Sequence, residues 1–206
     1  MKISEQLIAT TPLISTMVAR SHVEFLIDQL EKVINLGVEG DILELGCNIG
    51  TTSIFIRKFL DLANSTKGFH VYDSFVGLPT KQKEDNLLLK RYQKGSCRAP
   101  RSRLIENFRK QNLVPPIIHQ GWFSRIPDKE YPSKICFAFL DGDFYSSIMD
   151  SLNKIYDKLE PGAIVCVHDY KQAALPGVEK ACSEFLNHKV EMMRDGAPGV
   201  GFFIKE

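Results

Sequence analysis

The 206-residue chain has no excess of either charge, no long apolar run and no paired-cysteine motif. It has 26 basic and 25 acidic residues, and its lysines and arginines are scattered, so it lacks the basic surface of a nucleic-acid-binding protein. No apolar stretch approaches the roughly 20 residues of a membrane-spanning helix. We therefore expect neither nucleic acid nor a membrane as a partner.

The five cysteines are odd in number and contain no C-x-x-C spacing. Cys136 and Cys166 stand inside apolar, strand-like runs, where cysteine behaves as a small hydrophobic residue. The N-terminal sequence MKISEQLIATTPLI lacks the continuous apolar core of a signal peptide. These features predict a reduced, cytoplasmic protein without a disulfide framework.

Strand-like and helix-like segments alternate along the chain. An apolar helical face covers residues 20–36 of an N-terminal helical segment at 1–37, and Gly37 follows as a stop. Strands are predicted at 41–45, 69–73, 117–120, 135–141, 163–168, 190–193 and 201–204, and further helices at 51–62, 103–111, 146–159 and 178–186. The alternation predicts a single domain over 1–206 with a doubly wound, Rossmann-like α/β fold.

Residues 74–101 interrupt this pattern, because they are polar and charged and contain no clear strand. A connection of this length inside a compact domain is usually functional or mobile. Two interpretations stay open, a lid or substrate loop beside a ligand and a solvated insertion.

The sequence DILELGCNIG at 41–50 predicts a strand followed by a glycine-rich turn and a helix. A dinucleotide fingerprint would need glycines where the chain has Asn48 and Thr51, which disfavours an NAD-dependent oxidoreductase. The spacing Glu44-x-Gly46-x-x-x-Gly50 instead resembles the first motif of S-adenosylmethionine-dependent methyltransferases. The glycines would let the backbone approach the amino-acid tail of that cofactor, and the acid would meet its ammonium group.

Four predicted strands end in acids, at Glu44, Asp73, Asp141 and the pair His168-Asp169. In an open parallel sheet all these ends lie at the edge where ligands bind. If the strands before Asp141 and Asp169 are neighbours, the two carboxylates converge, and like charges so close favour a cation between them. Oxygen ligands suit Mg²⁺, whereas His168 suits it poorly and could be a ligand, a proton acceptor or a structural residue.

Other candidate residues have two interpretations each. Asp73 follows Gly50 by 23 positions, which suits a hydrogen bond to ribose, although turn and capping roles compete. Trp122, the only tryptophan, borders an adenine ring or packs in the core. Asp143 is expected to cap the helix that begins near Ser146. The remaining histidines, at positions 22, 70, 119 and 188, share no ligand spacing and are treated as structural or surface residues.

Four stretches together resemble the macrocin O-methyltransferase family: YDSFVGLP at 72–79, GWFSRIP at 121–127, LDGDFYSSIMDSL at 140–152, and HDY with PGVEKA within 168–181. The resemblance covers roughly residues 38–188. It implies a seven-stranded sheet with the last strand antiparallel, methylation of hydroxyl groups with S-adenosylmethionine, and frequent use of Mg²⁺. It also implies cofactor contacts from the glycine turn, Asp73 and the segment around Gly121.

The chain departs from that family at two places. His168 stands where the family commonly has an aspartate before Asp169, so one metal ligand becomes a histidine and Mn²⁺ becomes an alternative to Mg²⁺. The chain also has a short N-terminal part where relatives carry segments over the acceptor. The identity of the acceptor is therefore not transferred from the known sugar methylators.

The leading hypothesis is an O-methyltransferase that acts on a hydroxyl of a small molecule, and a homodimer is one assembly that it could form. Asp141 and His168 are the expected catalytic residues, and Asp141, Asp169 and His168 the expected metal ligands. The expected cofactor-binding residues are Glu44, Gly46, Asn48, Gly50, Thr51, Asp73, Ser74, Phe75, Gly121, Trp122 and Asp141. The alternatives are a metal-independent O- or N-methyltransferase with His168 as base, and a non-catalytic S-adenosylmethionine-binding protein.

Overall fold

The alternating segments form one seven-stranded sheet in the computed structural model, which describes residues 2–206. The strands are β1 (Asp41–Leu45), β2 (Phe69–Asp73), β3 (Ile117–Gln120), β4 (Ile135–Leu140), β5 (Leu159–His168), β6 (Arg194–Asp195) and β7 (Val200–Ile204). The helices are α1 (Ile3–Thr10), α2 (Arg20–Asn35), α3 (Thr51–Leu62), α4 (Arg101–Lys110), α5 (Tyr145–Ile155) and α6 (Pro176–Leu186). Met1, the first residue of the predicted 1–37 and 1–206 ranges, lies outside the described residues.

The strand order is β3-β2-β1-β4-β5-β7-β6. The first five strands in this order pair in parallel, and β7 is antiparallel to both β5 and β6. The predicted fold is confirmed, including the expected pairing of β4 with β5. The order reverses between β1 and β4, and in such sheets the crevice outside the strand ends at this reversal is the usual ligand site.

The central strand β4 packs against apolar side chains on both faces of the sheet. Phe137 and Phe139 lie in one apolar cluster, which includes residues of α2 and α3. Ala138 and Leu140 point the other way, into a cluster with residues of α5 and α6. Burying one such phenylalanine side chain stabilises the fold by about 1.5–3 kcal/mol. The strand ends are therefore held on a rigid, doubly covered sheet.

Several predicted boundaries change in the structure. The prediction of a strand at 190–193 is wrong, because β6 is only Arg194–Asp195. The 190–193 stretch is instead anchored by Glu191, whose buried side chain forms an ion pair with Lys205 at 2.7 Å. β5 begins at Leu159, where the sequence predicted the end of a helix. Helix α1 was not predicted separately.

Within residues 2–206, no helix combines the length and the apolar character that crossing a membrane requires.

Candidate active site

A cavity of about 710 Å³ opens at the carboxyl ends of β1, β2, β4 and β5, beside the reversal of strand order. Residues 77–80 of the long loop, and several residues between Arg91 and Cys97, form part of its wall. Of the residues predicted for the site, those lining this cavity are Gly46, Asn48, Asp73, Ser74, Gly121, Trp122, Asp141, His168 and Asp169. The convergence of these strand ends thus creates a single space large enough for a cofactor and part of a second molecule.

The turn after β1 is fixed by Asp73 at the end of β2. Asp73 Oδ2 accepts a hydrogen bond from the backbone N–H of Asn48 at 2.9 Å, and Oδ1 accepts one from the N–H of Phe75 at 2.7 Å. Burial raises the pKa of Asp73. Because a carboxylate has about four acceptor positions, two backbone bonds leave capacity for a hydroxyl group in the cavity.

Gly46 is required by the close approach of β4 to this turn. Its φ is +100°, and a Cβ there would lie 2.0 Å from the carbonyl oxygen of Asp141. Any side chain would force the turn away from Asp141, so this glycine keeps the two strand ends close together. Gly50 is also left-handed and directly precedes α3, but it lines neither this cavity nor the smaller one beside it.

Glu44 and Thr51 face the smaller cavity of about 30 Å³, which the segment 15–18 borders. Glu44 is only 1% exposed and accepts a hydrogen bond from the hydroxyl of Ser53, and burial raises its pKa to about 8. The buried Thr51 hydroxyl has no hydrogen-bond partner in the protein. Buried hydroxyl groups normally have a hydrogen-bond partner, so the unpaired Thr51 hydroxyl next to the protonated Glu44 suits the binding of a polar ligand group.

The side chains of Asp141, His168 and Asp169 come together at the adjacent ends of β4 and β5. His168 Nδ1 lies 2.9 Å from Asp141 Oδ1 and 3.3 Å from Asp169 Oδ2. Burial alone would lower the pKa of His168, but the two carboxylates outweigh it and raise the pKa well above its usual value. The two carboxylates therefore favour the protonated form of the His168 imidazole.

The same three side chains fit a divalent cation. Their ligand atoms lie within 4.8 Å of one another, and within residues 2–206 no other group of three ligand side chains does so. Three ligands on one face of an octahedral ion with bonds near 2.1 Å would be separated by about 3 Å. The two distances from His168 match that spacing, so this donor set suits a cation with two oxygen ligands and one nitrogen ligand.

Asp143 belongs to this cluster, and the prediction that it caps the following helix is wrong. The residue preceding α5 is Phe144, and no side-chain bond caps the helix from that position. Asp143 has φ +61° and lines the main cavity together with Asp141 and Asp169. Burial, and the nearby charges of Asp141 and Asp169, raise the pKa of Asp143 well above its usual value.

The cap of α5 comes from the long loop. Asp85 Oδ1 accepts a hydrogen bond from the N–H of Tyr145 at 2.9 Å, and the buried Asp85 side chain fills the space beside Gly177 of α6. The loop also closes on itself, where Leu78 N–H donates to the carbonyl of Ser96 at 2.8 Å. The loop is thus anchored at its base and at Asp85. Whether it acts as a lid stays a prediction.

His22 is the site neighbour that sequence reasoning missed. It lies in the first turn of α2, and its Nδ1 is 2.9 Å from His168 Nε2. The two residues are 146 positions apart, and no local pattern in the sequence connects them. His70 and His119 pair with each other elsewhere on the sheet, and His188 is exposed.

Trp122 and Phe75 follow strands at the same edge. Trp122 is partly buried, lines the main cavity and directly precedes a short 3₁₀ helix at Phe123–Arg125. Phe75 is buried in the core rather than lining a cavity, with φ +56°. A bulky residue in this region is strained by about 1–3 kcal/mol, and such strain clusters at ligand sites. The contact between Trp122 and adenine stays a prediction.

With this geometry established, a model of the macrocin O-methyltransferase (TylF) family matches residues 7–194 of the chain. The chain belongs to this family. The resemblance drawn from the strand-end motifs is therefore confirmed over most of the chain's length.

Two relatives of the chain are O-methyltransferases by their names. The chain is 29% identical over 162 residues to 8-demethyl-8-(2,3-dimethoxy-alpha-L-rhamnosyl)-tetracenomycin-C 4'-O-methyltransferase from Streptomyces olivaceus, a match that covers 75% of this chain and 62% of that protein. It is 27% identical over 181 residues to mycinamicin III 3''-O-methyltransferase from Micromonospora griseorubida, covering 82% and 69%. The chain thus spans less than two thirds of the first relative.

A solved structure with the same fold is that of the O-methyltransferase NovP. Its TM-score is 0.81 at 23% sequence identity, and the match covers 92% of this chain and 81% of NovP. At this level of identity the likeness supports the methyltransferase-like fold, and the chemistry has to be argued from the site itself.

Proposed function

We propose that this protein is an S-adenosylmethionine-dependent O-methyltransferase that acts on a hydroxyl of a sugar or another natural-product-type small molecule. The observation that carries the proposal is the convergence of the glycine turn, Asp73 and the Asp141–His168–Asp169 cluster on one cavity. Membership of the TylF family and the two named relatives support the reaction type. A non-catalytic cofactor-binding role would not explain why the carboxylates converge.

The cofactor would be held by the turn after β1 and by the end of β2. Asp73 has acceptor capacity for ribose hydroxyls, and Gly46 keeps the backbone open to a ligand. Glu44 and the unpaired Thr51 hydroxyl border the smaller cavity and would offer hydrogen bonds to the amino-acid tail. When bound, S-adenosylmethionine supplies the methyl group, and the protein's task is to align the acceptor with it.

Asp141, His168 and Asp169 would hold a divalent cation, Mg²⁺ or Mn²⁺. The two carboxylates favour Mg²⁺, whereas the imidazole moves the preference toward Mn²⁺ or a softer ion. A bound cation supplies positive charge that favours loss of the acceptor proton. The protein contributes the fixed spacing of the three side chains at the strand ends.

Asp143 is our candidate for the proton acceptor, in place of His168. Both nitrogens of His168 are engaged, one with Asp141 and the other with His22, so this ring has no free lone pair facing the cavity. Asp143 lines the cavity beside this cluster, and burial together with the nearby carboxylates raises its pKa, which strengthens it as a base. Asp141 would orient the acceptor. This arrangement disfavours a metal-free enzyme that uses His168 as base.

The test combines cofactor binding with methyl transfer. We expect S-adenosylhomocysteine to bind with nearly equal affinity in Mg²⁺, Mn²⁺ and EDTA, as measured by calorimetry. Transfer of radiolabelled methyl to a panel of glycosylated natural products should occur with either cation and stop in EDTA. Transfer that continues in EDTA would reject the metal role and support the metal-free alternative. Failure to bind S-adenosylhomocysteine would reject the proposed function.

A further inference from the structure

His22 reaches the candidate metal site from a part of the chain that is remote in sequence. It lies in the first turn of α2, whereas His168 is the last residue of β5. The rings meet edge to face, with centroids 5.0 Å apart and an interplanar angle of 68°. The nitrogen of His168 that bonds to His22 is the one that faces away from Asp141.

The hydrogen-bond partners define which nitrogen of His22 carries the proton. If His168 binds a cation through Nδ1, its remaining ring proton lies on Nε2, which faces His22. The His22 atom that meets this nitrogen is Nδ1, at 2.9 Å. In neutral His22, Nδ1 is then an acceptor, and the hydrogen between the two rings belongs to His168 Nε2.

These hydrogen bonds determine the role of Nδ1, the other ring nitrogen of His168. With Nε2–H committed to His22, His168 presents Nδ1 to Asp141 and Asp169, at 2.9 and 3.3 Å. A histidine that binds a metal through one nitrogen commonly donates its other N–H to a fixed acceptor, which sets both tautomer and ring orientation. We propose that His22 is a positioning residue that fixes His168 as an Nδ1 ligand of the cation. This inference rests on the proposed function.

The position of His22 depends on close packing between α2 and the turn before β7. Gly196 lies against Phe25 of α2, where an added Cβ would come within 2.4 Å of the ring. Phe25 also contacts Phe202 of β7, with ring centroids 5.5 Å apart. These contacts hold the 196–199 turn beside His22, where a Cβ added at Gly199 would lie 3.9 Å from the imidazole ring. His22 is therefore held by packed elements of the fold and not by a mobile surface segment.

The test is Mn²⁺ affinity, measured by electron paramagnetic resonance on the full chain. His22→Ala should weaken Mn²⁺ binding by about 10–100-fold, the usual effect of losing such a support. His22→Asn, whose amide oxygen can replace the Nδ1 acceptor, should recover most of the affinity. His188→Ala, at an exposed histidine, is the matched control and should equal wild type. Affinity for S-adenosylhomocysteine should not change in any variant.

The outcomes separate this inference from the proposed function. Wild-type protein that binds no Mn²⁺ would reject the metal site itself, and with it the role of His22. Wild type and His22→Ala that bind Mn²⁺ equally would reject only the role of His22. If His22→Ala does not fold, long-range ¹H–¹⁵N spectra of the metal-free wild type still test the inference, because they show which nitrogen of His22 carries the proton. We expect His22 protonated at Nε2 alone, and protonation at Nδ1 would overturn the inference.

Discussion

Within residues 2–206, we compare two chains of hydrogen-bonded histidines and carboxylates, of which one converges beside a cavity. At the carboxyl edge of the sheet, Asp141 and Asp169 both approach the same nitrogen of His168. On β2 and β3, His70 and His119 are 3.1 Å apart, and each uses its other nitrogen for a separate carboxylate, Asp41 or Glu130. In the first arrangement two carboxylates converge on one histidine nitrogen. In the second, the two histidines and two carboxylates form a linear chain of contacts.

The difference shows that residue type does not define a metal site. His70 and His119 have more exposed carboxylate partners, since the side chains of Asp41 and Glu130 are 35% and 43% exposed. His119 stacks on both His70 and Tyr72, and neither histidine lines a described cavity. Convergence of three ligand atoms beside a cavity is what distinguishes the His168 cluster.

The largest expected effect comes from Asp143. Asp143→Asn should lower kcat by about 10²–10⁴-fold, the usual contribution of a general base, with S-adenosylhomocysteine affinity kept within about threefold. Glu130→Gln, which alters the linear chain, is the matched control and should leave kcat unchanged. Steady-state kinetics would measure both. A kcat for Asp143→Asn equal to wild type would return the role of base to Asp141 or His168.

A smaller effect, on stability, is expected at Glu44. Its pKa in the folded protein is about 8, against 4.5 as the reference, so the folded state holds a proton that the unfolded state releases between these values. Wild-type stability should therefore fall as the pH rises from about 4.5 to 8. Glu44→Gln keeps a hydrogen-bond acceptor for the Ser53 hydroxyl, but its side chain cannot ionise.

Denaturant unfolding at several pH values measures this difference. Relative to wild type, Glu44→Gln should gain about 2–4 kcal/mol of unfolding free energy between pH 5 and pH 8. A difference that stays constant with pH would show that Glu44 is ionised in the folded protein.

The smallest expected effect has the opposite pH direction and belongs to the linear chain. Burial lowers the pKa of His70 below 6.5, despite the nearby Asp41. The unfolded state therefore binds the proton first, and stability is lost as the pH falls below about 6.5. His70→Gln should lose less stability than wild type between pH 6.5 and 5, with His188→Gln as the exposed control. Equal acid sensitivity of all three proteins would contradict this assignment.

Much of the fold could be predicted because its signals are local. The apolar runs of β1, β2 and β3 have the predicted bounds, and acids follow the strands as expected. The two-residue β6 was missed because so short a strand depends on pairing with β7, not on its own sequence. Long-range contacts were missed for the same reason: Asp85 caps a helix 60 residues away, and His22 meets His168 across 146 residues.

Asp143 illustrates a different limit of sequence reasoning. An aspartate shortly before a helix is usually a cap, and the local pattern around Asp143 favoured that role. The structure instead turns its backbone to φ +61° and directs the residue toward Asp169. The loop's Asp85 takes the capping position, and that substitution can be recognised only when the loop is placed against α5.

The most direct test of the account is a crystal structure with S-adenosylhomocysteine and Mn²⁺, with anomalous scattering data. We expect one Mn²⁺ peak within bonding distance of Asp141, His168 and Asp169, beside the bound cofactor product, and none between His70 and His119. A structure with S-adenosylhomocysteine in the cavity and no Mn²⁺ at the three converging side chains would contradict the central claim.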